Sequence, residues 1–326
     1  MAKSFLARAF IYSVSLLTTA TGFADGTATY PGLPTRSQNP LLQSYFIPAT
    51  PITSAHDWSF SQSLFITNTY QKEDSSTETA LIDVENTRID IQATYQSAPW
   101  FFNINAPYIG NRSGNLDQTI RNWHDFFHLP QGGRDQSINN QLKLLYQKNG
   151  TSVVDIEQSD TGLGDIQLAL GRQLTSSIQV WIALELPVAD SSLLVSNDAI
   201  DSALWISGTL AAFSASTAYY SAGVAFPANT GLFKNLIEQQ FGFAQLGLQI
   251  PYNADLQFQL QTDYHSPIVR DSGLKTFDHS LQAQFVLRLP RLFESNTLEL
   301  FFSEDILPGH APDITFGLRF STTVNN

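Results

Sequence analysis

The chain has 326 residues, of which 43% are hydrophobic and only 14% charged, yet its mean hydropathy is -0.09. That combination excludes a bundle of membrane helices and fits a chain in which apolar and uncharged polar residues alternate. A formal net charge of -12 argues against nucleic acid as a partner, and the lack of cysteine excludes disulfides, thiolate catalysis and Cys-ligated metals.

Lys3 and Arg8 precede an apolar or small stretch over residues 9–21, and Gly22, Phe23 and Ala24 supply a small-residue cleavage site. Residues 1–24 therefore read as a secretory signal, too short in its apolar part to span a membrane. Residues 25–55 follow without alternation. Pro31, Pro34, Pro40, Pro48 and Pro51 bar them from a central strand. The expectation is a small plug folded into a lumen, with Arg36, Gln38 and Asn39 bonding carboxylates such as Asp90, Glu185 or Glu299. The alternative is a loose periplasmic tail.

From residue 56 onward, period-two alternation recurs. Ile89, Ile91 and Ala93 alternate with Arg88, Asp90 and Gln92; Leu256, Phe258 and Leu260 alternate with Gln257, Gln259, Gln261 and Asp263. The spacing predicts twelve strands, at 56–69, 79–97, 99–109, 163–174, 177–187, 202–213, 216–226, 240–250, 254–265, 276–289, 297–305 and 313–321. At about nine to fourteen residues most of them match the ~9–11 residues of a spanning strand better than the 5–6 of a soluble one. Short links alternate with long ones at 70–78, 110–162, 188–201, 227–239, 266–275 and 306–312. The fold class that follows is all-β: an antiparallel transmembrane β-barrel of about twelve strands over residues 56–326, with both termini on the periplasmic side.

On this reading Arg88, Asp90, Gln92, Gln167, Glu185, Gln257, Gln259, Gln261 and Asp263 line the lumen. Gln282, Gln284, Arg288, Glu299 and Arg319 continue the same lining. Trp58, Phe60, Trp100, Tyr108, Trp205, Phe226, Phe241, Phe243, Phe301 and Phe302 fall near strand ends and read as interfacial girdles.

The 110–162 link holds a helical pattern, Leu116, Ile120, Trp123 and Phe127. His124 and His128 fall one turn apart and could share a metal with Asp125, although an amphipathic helix on the barrel mouth needs no metal. Residues 141–146 and 152–156 flank Asn149-Gly150 and predict a hairpin that lengthens the wall. His279 has lipid-face parity and His265-Ser266 caps the preceding strand, which raises a lipid hydrolase as a lesser alternative. Pro267 follows Ser266, however, and a phospholipase-like His-x-Ser-Asn-Gly arrangement is missing. No catalytic residue and no cofactor are assigned.

Two resemblances add to this. The run from Asp313 to Phe320, through Phe316 and Gly317, resembles the terminal β-signal read by the barrel-assembly machinery. The run Gly32-Leu-Pro-Thr-Arg-Ser-Gln-Asn-Pro-Leu-Leu-Gln43, with Thr161-Gly-Leu-Gly-Asp-Ile166 opening a strand, resembles the DUF3187 family of bacterial proteins of unknown function. That resemblance implies an outer-membrane setting and no activity. The expected partners are outer-membrane lipids with lipopolysaccharide, the assembly machinery and a small polar solute. The expected function is a narrow channel or transporter, with a structural or surface-interaction barrel of sealed lumen as the alternative.

Overall fold

A strand that crosses hydrocarbon cannot leave backbone N–H and C=O groups unpaired. In the computed structural model the chain meets this demand with a closed ring. The structure describes residues 32–45, 58–128, 133, 134, 137–189, 194–213, 215–292, 296–307, 309, 310, 312 and 314–324. The expected export signal and Asp313 lie outside the described residues.

The strands are β1 (Trp58–Asp74), β2 (Glu78–Ser97), β3 (Trp100–Arg112), β4 (Lys143–Lys148), β5 (Thr151–Ile156) and β6 (Asp160–Leu163). They continue with β7 (Ile166–Gln173), β8 (Ile178–Leu186), β9 (Asp201–Ala211), β10 (Thr217–Phe226) and β11 (Phe241–Pro251). β12 (Gln257–His265), β13 (Ser280–Leu292), β14 (Asn296–Asp305) and β15 (Ile314–Val324) complete the set, and one helix, α1 (Asp117–Phe127), lies between β3 and β4. Twelve of the strands form the wall in the order β1-β2-β3-β7 and then consecutively to β15. β15 closes on β1 in antiparallel register from Trp58 opposite Val324 to Asn68 opposite Ile314. The protein is thus a twelve-stranded antiparallel transmembrane barrel.

Each strand sorts its side chains by parity. On β1, Ser59, Ser61, Ser63, Phe65 and Thr67 are buried in the lumen while Phe60 is exposed outside. On β12, Gln259, Gln261 and Asp263 are buried while Phe258 and Leu260 are exposed. Phe102, Ile104, Ile182, Leu184, Leu204, Ile206, Phe285, Leu300 and Leu318 extend this exposed apolar belt around the wall. Against lipid such a belt is favourable, where against water it would be a liability.

Several boundaries differ from the sequence reading: β3, β13 and β15 run to Arg112, Leu292 and Val324, and the strand expected at 163–174 divides into β6 and β7. The expected 70–78 loop contracts to residues 75–77, because β1 and β2 stay paired out to Asp74 opposite Thr79. Beyond the lipid a strand is freed from the apolar-out rule, so Gln71, Lys72 and Glu73 read as a loop while forming a strand. The strand expected from residue 276 starts at Ser280, since Lys275–Phe277 is a 3-10 turn. The long-loop end is built up by the β4–β5 hairpin, which turns on Asn149 and Gly150 (φ 52° and 76°) and pairs with the outer half of β2.

The girdle assignment also needs correction. Trp205, Phe241, Phe243 and Phe301 are buried inside the barrel, and only part of the expected set, including Phe60, Trp100, Tyr108 and Phe226, lies exposed outside. The parity of β9 decides the case of Trp205, which shares its face with Ala203 and Ser207. Inward rings fit because glycine stands beside them on the neighbouring strand. Gly247 pairs with Tyr219, and a Cβ there would fall 1.9 Å from Tyr219 Cζ. Gly317 pairs with Phe301 and Phe65, and its Cβ would fall 2.1 Å from Phe301 Cζ.

Gly247→Ala should therefore destabilise the barrel by about 1–3 kcal/mol, the usual range for overpacking. Gly242→Ala on the same strand, where the nearest atom is 3.9 Å away, should stay within about 0.5 kcal/mol of the parent in urea titrations of the refolded protein.

Candidate functional site

The lumen is the candidate site, and it is occupied by the chain's own N-terminal segment. Residues 32–45 run inside the ring, and all of them except the half-buried Pro34 are buried. The backbone of Leu33 is clamped from both sides: its N–H donates to Gln261 Oε1 at 2.9 Å, and its carbonyl accepts from Gln245 Nε2 at 2.7 Å. Thr35 Oγ1 donates to Asp263 Oδ1 at 2.9 Å. The carbonyl of Gly32 accepts from Arg319 Nη1 at 3.3 Å.

Asp263 is the hub of this wall. Its two oxygens accept from Thr35, from Gln245 at 3.0 Å, from Gln261 at 2.9 Å, and from Gln284. A buried carboxylate is tolerable when several donors surround it. Two of those donors, Gln261 and Gln284, are glutamines expected to line the lumen; Gln245 was not among them, and the inserted segment supplies the fourth through Thr35.

Arg36, Gln38 and Asn39 all lie inside the barrel, but with other partners than the expected carboxylates. The Arg36 guanidinium sits 3.5 Å over the centre of the Phe65 ring. Gln38 donates to Ser303 Oγ at 3.2 Å and accepts from Thr315 Oγ1. Asn39 Nδ2 reaches the carbonyl and hydroxyl of Thr276 at 3.0 and 3.2 Å. The named carboxylates have other settings. Asp90 pairs with Arg88 at 2.8 Å. Glu299 takes both arms of Arg319, with Arg288 3.7 Å away. Glu185 faces Gln167 and Asp201 across the sheet, and its Oε2 is buried without a hydrogen-bond donor.

The remaining expected lining residues also point inward. Gln92 links Ser61 and Asn103, each at 3.3 Å. Gln257 accepts from Gln249, and Gln259 and Gln282 are buried on the same parity as the hub. Phe316 and Phe320 face outward and Gly317 inward.

The opposite wall has a different chemistry. Phe101, Trp181 and Trp205 form a stacked row across β3, β8 and β9, with ring centroids 5.5 and 5.8 Å apart. The register continues it through Gly223 to Phe243. Several polar groups on this side have no protein partner, namely Asn105 Oδ1, Glu185 Oε2, Trp205 Nε1 and Ser221 Oγ. Composition counts missed this stripe, although strand parity carried the signal. Gln245 and Ser303 were missed although they share the inward parity of Phe243 and Glu299, whereas nothing local marks Leu33, Thr35 or Thr276.

The inserted segment ends under a cap at the long-loop end. The rings of Tyr45, Phe233, Tyr146 and Phe277 pack with centroids 4.7–5.9 Å apart. Tyr45 Oη donates to the Thr230 carbonyl at 3.0 Å and accepts from the Phe233 N–H at 3.2 Å. Burial pushes its ionisation up to about 12, so it stays a neutral donor at any physiological pH. Glu78 knits the cap to the wall, accepting from Tyr146 Oη at 2.6 Å and Gly273 N at 2.8 Å and pairing with Lys148 at 3.2 Å.

A sequence profile of a family described only as a protein of unknown function, DUF3187, matches residues 11–322. The chain belongs to the DUF3187 family. No curated protein matches the sequence of this DUF3187 member. Among solved structures, the COG4313 outer membrane channel from Pseudomonas putida F1 superposes with a TM-score of 0.53 at 10% identity, covering 83% of this chain and 96% of that one. The P. putida toluene transporter TodX gives a TM-score of 0.43 at 10% identity over 89% and 94% of the two chains. The NanC porin gives 0.41 at 9% identity over 82% and 100%. At these identities the first likeness speaks for the fold alone.

Among the described residues the histidines gather no metal-binding group. His128 leaves the helix in a left-handed conformation (φ 57°), which breaks its one-turn spacing from His124. His279 Nδ1 pairs with the Tyr264 hydroxyl at 2.6 Å, and His265 Nδ1 bonds the Ser266 carbonyl at 2.9 Å.

Arg36-Ser37 is a natural trypsin site inside the lumen. In folded, detergent-solubilised protein it should resist trypsin and be cut as soon as the barrel is boiled open, as mass spectrometry of the fragments will show. Rapid cleavage after Arg36 in the folded barrel contradicts the inserted placement.

Proposed function

We propose that the protein is an outer-membrane channel for small polar solutes, held closed by residues 32–45. The observation that carries this reading is the asymmetry of the lumen. The inserted segment bonds six polar residues of the wall from β11 to β15, namely Gln245, Gln261, Asp263, Ser303, Thr315 and Arg319, while Gln282 Oε1 on that wall stays without a partner. Across from it, Asn105, Glu185, Trp205 and Ser221 keep hydrogen-bonding capacity that no protein group uses. One inward step from Gln261 toward the short-turn end, both amide atoms of Gln259 are likewise unused. Buried polar atoms of this kind are stable only when water or a polar ligand meets them. They mark a hydrated strip between plug and wall, and the aromatic row beside it offers flat surfaces on which a passing solute can slide.

The fold likeness to the COG4313 outer membrane channel supports this reading. In it the short turns and both chain ends are periplasmic, the long loops face outward, and lipopolysaccharide surrounds the outer half of the belt. The terminal strand is the segment that the assembly machinery reads. The barrel does its work without catalysis, since His279 and His265 are engaged by Tyr264 and a backbone carbonyl.

A second reading, a sealed structural barrel, is favoured by the aromatic cap over the long-loop end. Planar-bilayer recording separates the two. The intact protein should give low or brief conductance, and a variant lacking residues 32–45 a larger and steady one. Silence from both, with each shown to be folded, would favour the sealed barrel.

A further inference from the structure

Between β3 and β4, Leu142 joins the buried cluster under the cap, whereas the part that carries α1 lies elsewhere. That part folds over the outer face of the wall. Asp117, the first residue of α1, accepts from Asn68 Nδ2 at 3.1 Å, from Arg134 Nη1 at 2.7 Å and from Asn140 N at 2.7 Å. Asn115 N donates to Glu85 Oε2 at 3.0 Å. Asn68 and Glu85 share the outward parity of their strands, Asn68 with Leu64 and Ile66, Glu85 with Ile89 and the exposed Ile91. The helix is therefore fastened to the outside of the barrel, just beyond the last apolar residues of the lipid-facing belt on β1 and β2.

The surface of α1 divides into three stripes. Ile120 is buried. Gln118, Asn122 and Asp125, on the far side of the helix, are exposed and polar. Between them, three residues apart on one flank beside Ile120, Trp123 and Phe126 leave 50% and 76% of their surfaces exposed. Two aromatic rings this exposed on a helix fixed at the edge of an apolar belt match the composition of a helix lying in a membrane interface.

We propose that α1 is an in-plane interfacial helix, with its Trp123–Phe126 flank seated at the headgroup–acyl boundary of the outer leaflet. The occupant of that flank is lipid, because the flank continues a surface that already meets lipid. The inference rests on the membrane orientation given above for the name of the leaflet, but not for the contact itself. The barrel thereby gains a lateral float on one side, which sets its depth and resists its tilting.

The chain has no cysteine, so single-cysteine probes are clean. Phe126→Cys and Gln118→Cys, each carrying an NBD fluorophore, are reconstituted as full barrels in phosphatidylcholine–phosphatidylglycerol vesicles. Heat-modifiable gel migration first establishes that each has folded, and Trp123→Cys carries the same readout if Phe126→Cys has not. The label at 126 should emit to the blue of that at 118. Lipid-borne doxyl groups should quench it several-fold more strongly than they quench the label at 118, with the order reversed for iodide present on both sides. Equal iodide quenching at both positions places the flank in water and overturns the proposal while leaving the channel reading intact. A label at 126 shielded from both quenchers, in a protein that runs as a dimer, overturns it in favour of a second copy on that flank.

Discussion

The pairing of β15 with β1 is the constraint on which the rest depends. In hydrocarbon an unpaired backbone amide costs several kcal/mol, so twelve strands must close on themselves or not cross at all. Closure then dictates both surfaces. Outside, every second residue must be acceptable to lipid, which Phe60, Ile91, Leu204 and Phe285 are. Inside, the complementary residues enclose a space that twelve strands make too wide for their own side chains to fill with regular packing. Serines, glutamines and ion pairs cannot collapse into an apolar core, so the space is either wet or filled by another part of the chain.

In this protein it is filled from one side. Residues 32–45 lie against the wall that carries Asp263, and their bonds to it are mostly neutral amide and hydroxyl contacts. Each such bond exchanges with water at a net value of only about 1 kcal/mol. The strong pairs, Arg319 with Glu299 and Arg88 with Asp90, belong to the wall and do not depend on the segment. That distribution separates the strength of the barrel from the strength of its closure. The wall can hold while the segment moves, which is what a gate requires and a permanent seal does not.

The wall is legible in the sequence because lipid enforces period two over long runs, as in the alternation from Leu256 to Tyr264. Where that enforcement stops, legibility stops. β1 and β2 run past the membrane with Lys72, Glu73 and Asp74, whose composition is that of a loop. The inward aromatics were hidden by a different cause: position near a strand end suggests a girdle, whereas the parity of Trp205 with Ser207 and of Phe243 with Gln245 places them inside. The prolines of the N-terminal segment and its place before β1 exclude it from the wall and leave insertion and a loose tail both open in the sequence. Its partners cannot be read there, because Thr35 and Asp263 stand 228 residues apart and neither carries a local mark of the other.

The central claim is that movement of residues 32–45 opens the lumen, and a reversible tether tests it most directly. The side chains of Asn39 and Thr276 touch, Nδ2 3.2 Å from Oγ1, so Asn39→Cys with Thr276→Cys is the pair to oxidise in an otherwise cysteine-free chain, with disulfide formation read by counting the remaining thiols. In bilayer recordings of one preparation, openings should vanish on oxidation and return on reduction. Openings of unchanged size and frequency in the fully oxidised protein would contradict the account, because solute would then pass a segment that cannot move.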